Sequence, residues 1–402
     1  MKDDKVLNVK GDVSWIGVLD KDLESFDVVM ETEYGTTYNS YFIDAEKKAI
    51  VETTKKKFWD VYERKIRQVV DPQQIEYIIL NHTEPDHSGN LRNLMEIAPN
   101  AKVVGSSNAI RYVKELFKDS DFEFIPVKDG HTLDLGNKTL RFVGAPNLHW
   151  PDSMYSYLEE DKVLFSCDSF GAHYCDARMF DDQVDQNKFD EAFEYYFNVI
   201  LKPFSKFMLK AIEKIEPLDI DVICHGHGPI LRSDWKKYVE RSRKWAEAFM
   251  EQPKKQRVFI PYVSAYDKTG QLARKIAEGV RASGQVEAEV MDIEMASMGD
   301  IEEEVTRATG IIVGSPTINQ NILPPIYKLF GLLTPLRDKN KLAGGFGSYG
   351  WSGEGRSLIK NALTSLKMKY FQEGMFVQFS PDEKELEQSF NYGKDFARQL
   401  EN

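Results

Sequence analysis

The chain has 402 residues, of which 42% are hydrophobic and 29% are charged, and its formal net charge is −12. A chain of this length exceeds one ordinary hydrophobic core, so we expect two domains. The composition is that of a folded globular protein. Its acidic balance argues against nucleic acid and anionic membranes as partners, because both favour positively charged proteins.

The sequence contains three cysteines, Cys167, Cys175 and Cys224, and none belongs to a Cys-x-x-Cys pair. This pattern excludes a disulfide framework, a zinc ribbon and a built-in rubredoxin-type iron centre, and it fits a reducing cytosol. The first residues lack the plan of a signal peptide, and no apolar run is long enough to span a bilayer. We therefore expect a cytoplasmic protein.

The first half of the chain alternates short apolar runs with turns, which predicts strands with a few helices between them. Residues 8–52 are typical of an antiparallel meander. Helices are predicted at residues 59–69, 91–98 and 233–250 from helical spacing of apolar side chains. The predicted strands are 15–19, 38–43, 48–51, 77–80, 101–105, 139–143, 162–166 and 220–224.

A polar stretch at residues 251–257, which includes the helix breaker Pro253, marks the predicted domain boundary. Beyond it the pattern becomes strand, helix, strand, helix. Five strands alternating with helices predict a doubly wound parallel sheet. We expect one domain at residues 1–252 and a second at residues 253–402.

Four predicted strands of the first domain end in loops that carry imidazoles or carboxylates, and five of the chain's seven histidines lie in these loops. This concentration favours a metal site over a solvated polar turn. Side chains at strand ends are held rigidly, and an oxygen- and nitrogen-rich set suits iron or manganese better than thiolate-bound zinc. Pro85 should keep Glu84 extended and prevent a helix from starting there. The candidate ligands are His82, Glu84, Asp86, His87, His149, Asp168 and His227.

The pattern resembles the metallo-β-lactamase fold, in which the usual hydrolase motif is His-x-His-x-Asp-His; here Glu84 replaces the second histidine. Together with the segments at residues 35–39, 148–154 and 315–317, this replacement makes the whole chain resemble the flavodiiron proteins, or A-type flavoproteins. The resemblance implies an αββα metallo-β-lactamase-like sandwich in the first domain.

The resemblance also implies how the seven candidate ligands divide. One iron would be bound by His82, Glu84 and His149, a second by Asp86, His87 and His227, and Asp168 would bridge the two. Three nearby residues are expected to be non-ligands: His225, either hydrogen-bonded or facing solvent; His173, hydrogen-bonded near the site; and Cys167, a small buried residue.

Three loops at the predicted strand ends of the second domain are candidates for a flavin site. Hydroxyls and backbone N–H groups at the start of a helix suit a phosphate, and aromatic side chains offer stacking surfaces. A Gly-x-Gly-x-x-Gly match at residues 345–350 comes too late in the domain for dinucleotide binding. The domain resembles flavodoxin, which implies FMN. The candidate contacts are Ser264, Tyr266, Lys268, Thr269, Gly270, Pro316, Thr317, Ile318, Asn319, Ser348, Tyr349, Gly350, Trp351 and Gly353.

The resemblance implies an oxidoreductase that reduces dioxygen to water, nitric oxide to nitrous oxide, or both, at a non-haem diiron site supplied with electrons through FMN. Two alternatives stay open at this point. One is a metal-dependent hydrolase with an attached flavodoxin module, which predicts zinc and esterase or phosphodiesterase turnover. The other is a flavodoxin-type electron carrier with a degenerate first domain, which predicts that no metal is retained.

The resemblance also implies the partners. The electron donor would be a separate rubredoxin-like protein or a reduced deazaflavin coenzyme. A head-to-tail homodimer, or a dimer of such dimers, would bring the flavin of one chain to the irons of the other.

Overall fold

The computed structural model describes residues 5–26, 30–251 and 256–401. These residues form two compact units, the first ending at Glu251 and the second lying beyond it. The boundary expected between residues 252 and 253 lies outside the described residues and stays a prediction.

The first unit is built on short strands, several of which are buried along their whole length. Its strands are β1 (Leu7–Lys10), β2 (Val13–Trp15), β3 (Val18–Asp20), β4 (Ser25–Phe26), β5 (Met30–Glu31), β6 (Thr36–Tyr38), β7 (Tyr41–Ile43), β8 (Lys48–Val51), β9 (Ile75–Leu80), β10 (Lys102–Ser106), β11 (Phe124–Val127), β12 (Thr132–Asp134), β13 (Thr139–Gly144), β14 (Met154–Leu158), β15 (Val163–Cys167) and β16 (Val222–His225).

Within the described residues these strands form two large sheets. The first has the order β1-β2-β7-β8-β9-β10-β11, and the second the order β12-β13-β14-β15-β16. The first sheet is antiparallel from β1 to β8 and parallel from β8 to β11. In the second sheet only β15 and β16 run parallel. Two small ribbons, β3-β6 and β4-β5, lie outside them.

Helices cover the outer face of each sheet. One apolar cluster, which includes Trp15, Ile79 and Phe165, fills the space between the sheets. The first sheet packs its other face against α1, α3 and α4, and the second against α5, α6 and α7. The layers are therefore helix, sheet, sheet, helix, which confirms the predicted αββα sandwich. The helices are α1 (Trp59–Val69), α2 (Pro85–Ser88), α3 (Leu91–Ile97), α4 (Ser107–Leu116), α5 (Gln186–Tyr196), α6 (Ser205–Ile215) and α7 (Trp235–Met250), with single turns at Lys56–Phe58, Pro72–Gln74 and Lys202–Phe204 and a π-helical turn at Phe197–Leu201.

The second unit is a parallel sheet with helices on both faces, as the alternating pattern predicts. Its order is β18-β17-β19-β20-β21, and β22 also pairs with β20. The five predicted strands are present, and the short β21 is a sixth that the pattern did not predict. Helices α8 and α13 cover one face and α9, α10 and α12 the other. The elements are β17 (Gln256–Tyr262), α8 (Lys268–Arg281), β18 (Val286–Asp292), α9 (Met298–Arg307), β19 (Gly310–Gly314), α10 (Pro324–Leu332), α11 (Pro335–Asp338), β20 (Leu342–Tyr349), α12 (Gly355–Ser365), β21 (Lys369–Tyr370), β22 (Met375–Gln378) and α13 (Glu383–Glu401).

Two local expectations are wrong. Pro85 does not prevent a helix: it occupies the first position of α2, where its missing N–H costs nothing, while Glu84 before it is extended as expected. The predicted strands 15–19 and 38–43 are each broken in the middle. At Gly17 a Cβ atom would lie 2.4 Å from the carbonyl oxygen of Tyr38, so the two segments bend past each other at a glycine.

Among the described residues, no helix combines the length and the apolar character needed to cross a membrane.

Candidate metal centre and flavin site

The seven candidate metal ligands come together at one edge of the sandwich. The loop after β9 supplies four of them, the β13–β14 connection supplies His149, and the residues after β15 and β16 supply Asp168 and His227. The two sheets are joined at this edge by Asn81. Its carbonyl accepts a hydrogen bond from Met154 N at 2.9 Å, and its side-chain amide donates to Ser156 Oγ at 3.1 Å.

One group of ligand atoms consists of His82, Glu84, His149 and Asp168. Glu84 Oε2 lies 3.2 Å from His82 Nε2 and 3.1 Å from His149 Nε2. Asp168 Oδ2 lies 3.0 Å from His149 Nε2 and 3.6 Å from His82 Nε2. Each imidazole therefore turns its Nε2 atom toward the same two carboxylates.

The second group consists of Asp86, His87 and His227, with the other oxygen of Asp168. Asp86 Oδ2 lies 3.5 Å from His87 Nε2 and 3.2 Å from His227 Nε2. Asp168 Oδ1 lies 3.0 Å from His87 Nε2 and 3.4 Å from His227 Nε2. Asp168 thus faces one group with each of its two oxygens. The helical turn α2 places Asp86 beside His87 and His227.

The chemistry of these atoms fits a pair of metal ions. Both oxygens of Asp86, and Asp168 Oδ1, are buried without a hydrogen bond, although imidazole nitrogens lie close by. The nitrogen and oxygen atoms are close together, but their angles do not suit hydrogen bonds. This arrangement is expected when the lone pairs of the side chains point to a common centre. A buried carboxylate that lacks a hydrogen bond is costly unless a cation compensates it.

The electrostatics of the cluster also fit a metal site. Burial on its own lowers the pKa of the imidazoles, yet the neighbouring carboxylates raise the pKa of His82 to about 10 and that of His149 to about 9. Burial raises the pKa of Asp168, but the charge of His87 and the neighbouring imidazoles hold it well below its usual range. The carboxylates therefore stabilise positive charge inside a buried site, which is the property that a metal site needs.

Three residues to which the sequence patterns assign no role lie on the far side of the imidazoles. Asp152 Oδ2 lies 3.3 Å from His82 Nδ1, the carbonyl oxygen of Thr37 lies 2.7 Å from His227 Nδ1, and Glu52 Oε2 lies 4.0 Å from His87 Nδ1. Two of them had a signal in the sequence: Asp152 follows His149 by three positions, and Glu52 directly follows an apolar strand.

The three expected non-ligands have different surroundings. His173 accepts or donates a hydrogen bond with Thr36 Oγ1 at 2.9 Å, as expected, and its ring lies between Phe26 and Tyr196. Cys167 is buried, also as expected. Of the two alternatives for His225, full burial of the ring excludes the solvent-facing one. Burial lowers the pKa of His225 to about 4, so the ring is neutral.

The three candidate flavin loops, at residues 264–270, 315–319 and 347–353, meet at the carboxyl edge of the second sheet. Thr269 Oγ1 lies 3.2 Å from Ser348 Oγ, which joins the first loop to the third. The backbone N–H of Thr317 donates to the carbonyl of Ser348 at 2.8 Å, which joins the second to the third. The strand order reverses direction between β17 and β19, and ligands of doubly wound sheets bind at such a point.

The residues of these loops fit a flavin phosphate and ring. Asp267, in a left-handed conformation (φ 55°), precedes α8 and makes no side-chain cap, while Ser264 Oγ accepts a hydrogen bond from Gly270 N at 3.2 Å, so the N-terminal end of α8 lies at this loop. Its carboxylate is paired with Arg274 at 2.8 Å. Tyr266 and Trp351 are each 82% exposed, which leaves large aromatic faces available for stacking. The other candidates, Ser264, Lys268, Gly270, Pro316, Ile318, Asn319, Tyr349, Gly350 and Gly353, lie in the same three loops.

Comparisons with known proteins agree with both halves of this architecture. Residues 36–228 match the ODP family beta lactamase domain, and residues 260–393 match Flavodoxin. The chain is 38% identical over 398 residues to the flavo-diiron protein FprA2 of Clostridium acetobutylicum, covering 98% of this chain and 99% of that protein. It is 34% identical over 393 residues to the nitric oxide reductase of Moorella thermoacetica, covering 96% and 97% of the two chains.

Among solved structures, the rubredoxin oxygen:oxidoreductase of Desulfovibrio gigas superimposes with a TM-score of 0.76 and 31% identity, covering 99% of each chain. These relatives are similar along the whole length of the chain, and both sites described above lie within the matched regions. The chain belongs to the flavo-diiron family of A-type flavoproteins, whose cofactors are FMN and a non-haem diiron centre.

Proposed function

We propose that this protein reduces dioxygen to water, nitric oxide to nitrous oxide, or both, with electrons that pass through FMN to a diiron centre. The observation that carries the proposal is the position of Asp168, whose two carboxylate oxygens face two separate groups of oxygen and nitrogen ligands. Glu84 supports a redox metal over hydrolytic zinc, because it adds a hard oxygen donor where the hydrolase motif has an imidazole.

The proposed assignment gives each ion three side chains and the shared Asp168. His82, Glu84 and His149 would hold one iron, and Asp86, His87 and His227 the other. Together with Asp168 these residues lie in four loops, which follow β9, β13, β15 and β16, and the sandwich brings these loops together. When bound, the two irons supply the one-electron chemistry that reduces the gas.

The reaction must balance in electrons. Dioxygen takes four electrons and four protons to give two waters. Two molecules of nitric oxide take two electrons and two protons to give nitrous oxide and one water. The residues of this chain hold the reacting centre in a buried pocket, which limits access of bulk water and of competing reactants. FMN would be held by the three flavin loops, with its phosphate at the start of α8.

We also propose the partners of the reaction. Electrons would come from a separate rubredoxin-like protein, as the name of the Desulfovibrio gigas neighbour suggests, or from a reduced deazaflavin coenzyme. A head-to-tail homodimer would bring the flavin of one chain to the irons of its partner. The three cysteines are all free, which supports a reducing, cytoplasmic location.

One experiment tests the central proposal. Iron, zinc and FMN are measured in the purified protein, which is then reduced and given dioxygen and nitric oxide in turn while consumption is followed. We expect two irons and one FMN per chain and rapid consumption of at least one gas. Chelation of the iron should leave FMN bound and stop consumption. Bound zinc with phosphodiesterase or esterase turnover, and no gas consumption, would contradict the proposal.

A further inference from the structure

We propose that Glu52 is a positioning residue: its carboxylate accepts a hydrogen bond from the Nδ1–H group of His87 and thereby directs His87 Nε2 toward the second metal position. This inference rests on the proposed function. The sequence patterns assign no role to Glu52, which lies behind a candidate ligand and is not one of the ligands itself. Glu52 directly follows β8, beside the strand whose end carries the first metal loop.

The two carboxylate oxygens of Glu52 have different roles. Oε1 accepts a hydrogen bond from the backbone N–H of Asn81 at 2.7 Å. Oε2 is buried without a hydrogen bond and lies 4.0 Å from His87 Nδ1. Glu52 is 2% exposed, so water does not satisfy this oxygen. A buried carboxylate oxygen needs a donor, and the imidazole N–H is the one that faces it.

Glu52 adopts an unfavourable backbone conformation in this position. Its φ is 59°, a left-handed conformation that is unfavourable for a residue with a Cβ atom. Backbone contacts secure it: Glu52 N donates to Ile79 O at 2.9 Å, and Ser40 Oγ donates to Glu52 O at 2.8 Å. Strained positions of this kind persist where the surroundings fix them, and they cluster at functional sites.

His87 is secured from its own backbone as well. Its carbonyl oxygen accepts hydrogen bonds from Thr53 N at 2.7 Å and Thr53 Oγ1 at 2.6 Å. Among the described residues, Nδ1 also lies 3.9 Å from Cys167 Sγ, within hydrogen-bonding distance for sulfur, but a thiol is a weak acceptor. Glu52 Oε2 is the carboxyl oxygen that faces this side of the ring. With the proton on Nδ1, the lone pair of Nε2 is free to bind a metal ion.

The same arrangement occurs at two other candidate ligands. Asp152 lies behind Nδ1 of His82, and the Thr37 carbonyl lies behind Nδ1 of His227, while both Nε2 atoms face the carboxylates of the centre. Glu52 and Asp152 thus form a matched pair, each behind an imidazole of a different metal group. This pair allows a test with an internal control.

The test replaces each carboxylate by its amide. In Glu52→Gln, the backbone N–H of Asn81 keeps the amide oxygen on its side and leaves the amide N–H₂ facing His87 Nδ1. A donor there favours the tautomer with the proton on Nε2, which cannot bind metal. We expect one of the two irons to bind about 10- to 100-fold more weakly, with FMN content unchanged. In the matched control Asp152→Asn, Thr83 N and Thr83 Oγ1 keep the amide oxygen beside His82 Nδ1, so we expect both irons to be retained.

Titration of the iron-free protein with ferrous ion gives the affinities, and Mössbauer spectra of ⁵⁷Fe-loaded protein show which of two iron signals changes. Two irons bound with wild-type affinity and unchanged signals in Glu52→Gln would overturn the proposal. So would loss of the same signal in both variants, because that would indicate general damage. A third metal equivalent that binds wild type and disappears in Glu52→Gln would show that Glu52, His87 and Cys167 hold an ion of their own.

A second measurement does not depend on the stability of the variant. In wild-type protein loaded with zinc, ¹⁵N-histidine NMR reports the tautomer of His87, assigned by its absence in His87→Gln. We expect a proton on Nδ1, and a bare Nδ1 would overturn the proposal. If wild-type protein bound no pair of ions at all, the proposed function itself would fail, which is a result distinct from failure of the Glu52 inference.

Discussion

Asp168 shows how much of the proposed chemistry depends on one side chain. It follows β15, is 3% exposed, and its two oxygens face different imidazoles. A carboxylate in that position lowers the repulsion between two neighbouring cations by placing negative charge between them. The sequence shows the residue alone on its loop, and the fold shows that its two oxygens face different groups of candidate ligands.

Replacing Asp168 by alanine should remove the shared ligand. Because loss of an outer contact to a metal ligand already costs about 10- to 100-fold, we expect gas reduction to fall more than about 100-fold, with fewer than two irons retained. FMN content should stay the same. Iron analysis and gas consumption measure the effect, and Asp182→Ala, at an exposed ion pair with Arg232, is the control. Full activity in Asp168→Ala would end the bridge assignment.

Thr269 tests the flavin site at the same scale. It is 1% exposed in the first turn of α8, beside Ser348. Thr269→Glu places a carboxylate against the FMN phosphate, and like charges about 4 Å apart near a surface repel by up to about 4 kcal/mol, so FMN should bind at least tenfold more weakly. Flavin absorbance per chain measures this, with iron content as the check on the first unit.

The matched variant Thr269→Val separates charge from the lost hydroxyl, since it keeps the shape of the side chain. We expect it to retain more flavin than Thr269→Glu. Unchanged flavin content in Thr269→Glu would show that the phosphate does not lie at the start of α8.

At the scale of elements, helices α8 and α13 pack at very close distance through two glycines. A Cβ atom at Gly279 would lie 1.9 Å from the carbonyl oxygen of Phe390, and one at Gly393 would lie 2.0 Å from the carbonyl oxygen of Ile276. Glycine in a helix interior is unfavourable by about 1 kcal/mol relative to alanine, so these positions are retained for contact between backbones.

Gly279→Ala should therefore destabilise the second unit, by about 1–3 kcal/mol, although alanine is the better helix former. The urea midpoint for flavin release should fall accordingly. Gly331→Ala is the matched control: Gly331 also lies in a helix, but its Cβ would meet nothing within 4 Å. We expect that variant to be neutral or slightly stabilised. Equal effects at both sites would contradict the close-packing explanation.

At the scale of the whole molecule, the proposed dimer makes a complementation test possible. Asp168→Ala chains keep FMN and lose the metal centre, and Thr269→Glu chains keep the metal centre and lose FMN. In a head-to-tail mixed dimer, the flavin of the Asp168→Ala chain would pass electrons to the irons of the Thr269→Glu chain. Random exchange makes half of the dimers mixed, each with one working pair, so about a quarter of wild-type activity should return.

The control for this experiment is each variant incubated by itself, which should stay inactive. Mixing is done under conditions that dissociate and reassociate the subunits, with exchange verified by differently tagged chains. Activity that does not return in verified mixed dimers would contradict electron transfer between chains.

The sequence by itself determined the features that depend on local pattern. Chain length and a polar stretch indicated two domains, and apolar runs predicted strands ending in ligand-bearing loops and a parallel sheet. The residue types in the loops favoured iron or manganese, whereas FMN was implied by the resemblance to flavodoxin. These features could be predicted because strand ends and helix starts have characteristic neighbours in the chain.

Only the tertiary structure decided which distant side chains meet. The helical turn that begins at Pro85 places Asp86 in the second group of ligands, whereas His82 lies in the first. The fold also places Glu52 and Asp152 behind imidazoles of residues that are distant in sequence. It also buries His225, which local pattern alone placed in a hydrogen-bonded or solvent-facing position. The physical reason is that burial and contact are set by packing between sheets, and the local pattern of a chain carries no record of which strands become neighbours.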